Sequence, residues 1–139
     1  GYATIYGDMA GGYAVIKDIL KTRVYALSEF YNKKAGREAI PRTIFTRAPS
    51  AELRDNQTDQ DSLPPYAVLD ELLAGYVERH EAFKVMARKA GSAELAKKVI
   101  ELVDKSEYKR RQAPPGVKIT KRAFGKDWRL PLTNKYKSF

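Results

Sequence analysis

Apolar residues return with a helical period in four stretches of this chain. From Lys21 to about Lys34, Val24, Leu27 and Tyr31 fall on one face, and Gly36 stands just past the end. Ser62-Leu63-Pro64-Pro65 opens the next stretch, where a proline without an N–H suits a first helical turn. Val68, Leu69, Leu72, Leu73 and Tyr76 then form a strong stripe. A third helix is expected from about Glu81, with Phe83, Met86, Ala87 and Ala90 inward and Gly91 as its C-terminal stop. Ser92 is placed to cap a fourth, with Leu95, Val99, Leu102 and Val103 inward.

Between these stretches the pattern shortens. Tyr2-Ala3-Thr4-Ile5-Tyr6 reads as a strand, and Ile40–Phe45 as an extended piece at a sheet edge because of Pro41. Ala48–Leu63 is polar and reads as a loop, with one helical turn near Ser50–Leu53. A polar loop of that length in a small domain is usually functional or mobile. Beyond Gln112, Pro114, Pro115, Gly116 and Pro131 exclude a long helix. The expectation is one mainly α domain with one or two short strands, its second to fourth helices packed together.

Composition narrows the class. The chain has 139 residues, 43% hydrophobic and 31% charged, which suits one globular domain. It has no cysteine, so disulfides, thiolate metal sites and cysteine nucleophiles are absent from it. That usage agrees with a cytoplasmic setting, and no apolar run reaches the ~20 residues of a membrane span. A first residue of Gly, not Met, reads as a cut from a longer chain. The net charge of +9 is uneven: residues 1–104 carry 15 Lys/Arg against 15 Asp/Glu, and residues 105–139 carry 11 against 2. The last quarter is therefore the anion-facing part.

Few residues assemble obvious chemistry. Gly7–Gly12 lacks the spacing of either common phosphate loop and supports only a tight backbone path. Asp59 and Asp61 have the spacing of loop metal ligands, but turn chemistry explains them equally, and no metal is assigned. His80, the sole histidine, reads as a residue of a helix junction. The tail interleaves Lys/Arg with Tyr108, Phe124 and Trp128. That mixture suits a nucleic acid backbone with stacked bases, or the pyrophosphate of a dinucleotide. A purely structural helical module would use it for neither.

Three stretches together resemble a known family. "GYATIYGDMAGGYAVIKDILKT", "RAPSAELRDNQTDQDSLPPYAVLD" and "SEYKRRQAPPGVKITKRAFGKDWRLPLTN" look like the C-terminal part of the synthetase domain of glutamine-dependent NAD synthetases. The likeness runs from Gly1 to about Asn134 and is weakest over Glu78–Lys105. It implies the C-terminal portion of an α/β adenine-nucleotide-hydrolase-like (ATP pyrophosphatase) domain. It also implies a ligase that uses ATP with Mg²⁺ to adenylate deamido-NAD, and ammonia from a glutaminase domain of the same polypeptide to form NAD.

The resemblance carries over to particular residues. Tyr2, Ala3, Thr4, Ile5 and Asp8 fall where the family contacts deamido-NAD, and Lys109 matches its deamido-NAD lysine, with Arg110 and Arg111 sharing that work or solvated. Lys21 and Ser50 match residues that contact ATP. Residues 48–62 resemble a segment that closes over the site. The phosphate loop, an upstream acidic residue and the glutaminase nucleophile are not in these residues, which implies that the chain alone is inactive. The parent would be a cytoplasmic homo-oligomer without membrane or nucleic-acid partners.

Overall fold

The computed structural model describes residues 7, 10–125, 127–133, 137 and 139. Among them are six α-helices and no strand: α1 (Lys21–Ala35), α2 (Arg42–Thr46), α3 (Tyr66–Leu73), α4 (Phe83–Ala90), α5 (Ala93–Lys105) and α6 (Glu107–Gln112). The expected strand at Tyr2–Tyr6 lies outside the described residues.

The three expected central helices form where the apolar period places them. α3 runs into a π-helical turn over Ala74–Glu78, and His80 follows with φ +50°, at the junction expected of it. α4 stops at Gly91, whose φ of +69° is the left-handed conformation that glycine adopts without strain. Ser92 Oγ then accepts the Leu95 amide at 3.2 Å and starts α5. The core lies where these helices meet: Leu69 and Leu72 of α3, Met86 of α4, and Ala96, Val99 and Ile100 of α5. Met86 and Ala96 are completely buried. A second cluster joins Val77, Val103 and Trp128, so the C-terminal segment closes the end of the helical layer.

Three expectations are corrected. Ile40–Phe45 is not a strand edge. Asn32 donates to the Ile40 carbonyl and accepts its amide, both at 2.8 Å, which takes the two groups a strand would offer a neighbour. After Pro41 the chain turns into α2, whose Arg42 amide donates to the Glu38 carboxylate. The helical turn near Ser50–Leu53 is also absent. Glu52 has φ +53°, incompatible with a right-handed turn, and the Leu53 amide donates to Gln57 instead.

The apolar face of α1 is not buried. The helix meets α3 through its first turn, where Thr22 N and Oγ1 donate to Asp70 at 2.7 and 2.8 Å. Beyond it Leu27 and Tyr31 stay 44% and 54% exposed. Finally, Leu102 of α5 is 40% exposed and lines a cleft instead of entering the core.

Candidate functional site

Residues 10–20 precede α1. The Ala10 amide closes a turn onto the Gly7 carbonyl at 2.8 Å, and Gly11 has φ +137°, in keeping with the tight path expected of the glycines. The segment then packs against residues 114–124. The Ala14 amide donates to the Pro115 carbonyl at 2.8 Å, and Lys17 Nζ donates to the Pro114 carbonyl at 2.5 Å. Gly116 sits so close that a Cβ there would lie 2.2 Å from the Ala14 carbonyl oxygen.

A cleft of about 980 Å³ opens beside this contact. Val99 and Val103 form part of its apolar floor, and Lys17, Lys98, Lys105 and Lys109 bring positive charge to it. Lys109 Nζ lies 5.9 Å from the Tyr108 ring centroid. Lys98 Nζ donates to the Ser62 carbonyl at 2.7 Å, tying the end of the polar loop to α5. An apolar floor with cations on its walls suits a ligand that carries a flat ring and an anionic group.

Lys109 lines the cleft, and its neighbours Arg110 and Arg111 are engaged with a buried carboxylate. Glu107, buried at 2% side-chain exposure, accepts Arg110 Nη2 at 2.8 Å, Arg111 Nε at 2.9 Å and the Leu130 amide. Burial pushes its carboxyl up, but these hydrogen bonds outweigh that and hold it below the usual range. Arg110 also donates to the Val103 carbonyl at 2.5 Å and lies against the rings of Phe124 and Trp128, at 4.9 and 5.2 Å from their centroids. Arg110 is thus held in a buried ion pair, while Arg111 pairs with the same carboxylate at 42% exposure.

This arrangement removes the support for a nucleic-acid-binding tail. Trp128 packs edge-on to Tyr76 at 5.1 Å and beside Phe124 at 6.3 Å, so neither ring stands out as a platform for bases. Lys118 pairs with Asp127 at 2.5 Å, and Arg129 approaches Glu107 at 3.7 Å. Much of the tail's charge is used to fasten the tail.

A second group gathers where the polar loop meets α1 and α3. Lys21 Nζ lies 5.4 Å from the Tyr25 ring and 5.8 Å from the Tyr66 ring, and no carboxylate pairs with it among the described residues. Tyr66 donates its hydroxyl to Asp59, and the Asp59 amide donates to the Pro49 carbonyl at 2.9 Å, next to Ser50. Burial and the Asp59 carboxylate push the Tyr66 phenol well above its usual range, so it remains a proton donor. Ser50 Oγ accepts the Glu52 amide at 3.0 Å.

Asp59 and Asp61 do not converge. One bonds Tyr66, while the other closes a capping box with Thr58 and pairs with Arg54 at 3.1 Å. Among the described residues no group of three or more Asp, Glu, His or Cys is placed to hold a metal.

Lys21 and Ser50 thus come to one corner, and Lys109 lines a cleft that neither reaches. The two are joined by chain: the 3₁₀ turn Asp59–Asp61 leads straight to Ser62 and Leu63 of the cleft wall. Tyr2, Ala3, Thr4, Ile5 and Asp8 lie outside the described residues. Sequence reasoning passed over Lys17, Asp18 and Glu107. For Glu107 a signal existed, an acid three and four residues ahead of Arg110 and Arg111 in a basic run. For Lys17 and Asp18 there was none, because their partners lie about a hundred residues away.

Comparison with known proteins gives one answer. The family model for NAD synthase matches residues 1–113. The chain is 55% identical over 137 residues to the glutamine-dependent NAD(+) synthetase of Thermotoga maritima, covering 99% of this chain and 24% of that protein. It is 54% identical over 136 residues to the enzyme of the same name from Aquifex aeolicus, covering 98% of this chain and 24% of that one. Among solved structures, a glutamine-dependent NAD+ synthetase from Acinetobacter baumannii in complex with adenosine diphosphate superposes with a TM-score of 0.53 at 39% identity. That match covers 99% of this chain and 24% of the other. The chain spans about a quarter of the length of the relatives it matches.

Proposed function

The chain belongs to the NAD synthase family, and from that premise we propose that it is the C-terminal section of the synthetase domain of a glutamine-dependent NAD synthetase. The observation that carries this reading is likeness along essentially the whole chain to proteins of that one name. The reaction turns the nicotinate carboxylate of deamido-NAD into an amide. A carboxylate is a poor acyl donor, so ATP first converts it to an acyl adenylate with loss of pyrophosphate. Ammonia released from glutamine then attacks the acyl carbon and AMP leaves. Both nucleotides are anionic, so this section's task is to hold and align them.

Lys21 and Ser50 serve ATP. The Lys21 ammonium is held near two tyrosine rings without an acidic partner among the described residues, which leaves its charge for phosphate oxygens. Lys109 serves deamido-NAD from the cleft, beside the segment that leads from Tyr2, Ala3, Thr4, Ile5 and Asp8. The loop over residues 48–62 closes on the ATP corner, to which Asp59 and Pro49 tie it. The described residues contain no group of three or more Asp, Glu or His placed to hold Mg²⁺. These 139 residues contain no Ser-Gly-Gly-x-Asp-Ser run and no cysteine, and alone are inactive. No helix among the described residues is long and apolar enough to cross a membrane. We read the parent as a cytoplasmic homo-oligomer.

The test is calorimetric titration of the synthetase polypeptide carrying this chain. Lys109→Ala is expected to weaken deamido-NAD about tenfold and leave ATP unchanged, and Lys21→Ala to do the reverse. Wild-type affinity for both nucleotides in both variants would overturn the assignment.

A further inference from the structure

The residues assigned to deamido-NAD sit at opposite ends of the sequence, before residue 9 and at Lys109. The described walls of the cleft also come from distant parts of the chain, residues 10–17 and 98–124, and residues 17 and 18 fasten the first to the second. The Asp18 carboxylate, 7% exposed, accepts the Ile119 amide at 2.8 Å, the Thr120 amide at 2.8 Å and the Phe124 amide at 3.2 Å. The Thr120 hydroxyl lies 3.0 and 2.9 Å from its two oxygens. The Phe124 ring so placed lies 4.9 Å from the guanidinium of Arg110, the residue after Lys109, and lines the cleft. Lys17 fastens the same two segments from the other side through the Pro114 carbonyl.

We propose that Asp18, seconded by Lys17, is the positioning residue of the deamido-NAD site: it clasps the N-terminal wall of the cleft to residues 119–124 and so sets the distance across which the substrate is held. The inference rests on the assignment of Lys109 to deamido-NAD. Asp18 touches no ligand in this scheme. Its effect is on cleft width, which governs substrate binding more than the chemical step.

The experiment compares Asp18→Asn, Thr120→Val and Lys109→Ala in the synthetase polypeptide, by steady-state kinetics in both substrates and by thermal unfolding. Asp18→Asn keeps the shape and one carbonyl oxygen but loses the anionic acceptor. It should raise KM for deamido-NAD about tenfold. It should leave KM for ATP and kcat within about twofold, with a cooperative unfolding transition retained. Thr120→Val removes only the hydroxyl and should move KM for deamido-NAD in the same direction by less. If Asp18→Asn does not fold, Thr120→Val decides alone. An unchanged KM for deamido-NAD in the folded variants, with Lys109→Ala still impaired, overturns the clasp. So does a parallel loss of kcat and both KM values, the mark of a purely structural role. An unimpaired Lys109→Ala overturns the site assignment and the clasp with it.

Discussion

Glu107 offers the sharpest test of how the tail is held. Its carboxylate is 2% exposed and neutralises Arg110, itself 7% exposed, while also accepting Arg111 and the Leu130 amide. Glu107→Gln keeps the volume and one acceptor but leaves a buried guanidinium without its counter-charge. Breaking one side of a buried pair costs about 3–5 kcal/mol. The lower end applies here, because Arg110 keeps the Val103 carbonyl and the faces of Phe124 and Trp128. Against a total of roughly 7–20 kcal/mol for a chain of this size, about 3 kcal/mol is a large fraction.

Removing both charges, as Glu107→Leu with Arg110→Leu, should instead come within about 1 kcal/mol of wild type, since desolvation is then relieved on both sides. Arg111 and Arg129 are 42% and 39% exposed and lose little by release into water. Urea unfolding followed through Trp128, the sole tryptophan and part of the same cluster, reads these differences directly. A Glu107→Gln midpoint equal to wild type would refute the reasoning. So would a double variant as unstable as the sum of its singles.

Two further predictions concern the same junction. Gly116→Ala would force a methyl group to 2.2 Å from a backbone oxygen, so residues 14 and 116 must separate; a loss of about 1–3 kcal/mol in urea unfolding is expected, and an unchanged midpoint would mean the contact is loose. Asp18 and Glu107 both have folded-state pKa values below their ordinary 3.8 and 4.5, Asp18 because backbone amides and Thr120 outweigh the burial that would raise it. An acid stabilised in this way contributes fully above its unfolded pKa, and the contribution is lost as pH falls through the folded value. Unfolding midpoints should therefore hold down to about pH 4.5 and drop below it, whereas a flat profile to about pH 3 would contradict the arrangement.

Sequence and structure agree where the information is local. The registers of α3, α4 and α5 follow from apolar spacing, and their punctuation from Gly91 and Ser92, because side chains three and four apart share a face wherever the helix goes. The motifs that carry the family likeness are equally legible, and the likeness over 99% of the chain to a glutamine-dependent NAD(+) synthetase bears the family out.

Local information failed where a partner was needed. The period in α1 gave a face but not a surface to cover it, and Leu27 and Tyr31 remain exposed. The β-prone run Ile40–Phe45 lost its strand to the side chain of Asn32, which took both backbone groups of Ile40. In the tail the same residue types support either a ligand surface or a packed clasp, and spacing does not distinguish them. Burial of Glu107 and Arg110 among Phe124 and Trp128 does. Composition and spacing alone established a helical domain with its excess positive charge in the last quarter. That Lys17 and Asp18 reach residues 114–124 depends on contacts across about a hundred residues, which no local pattern encodes.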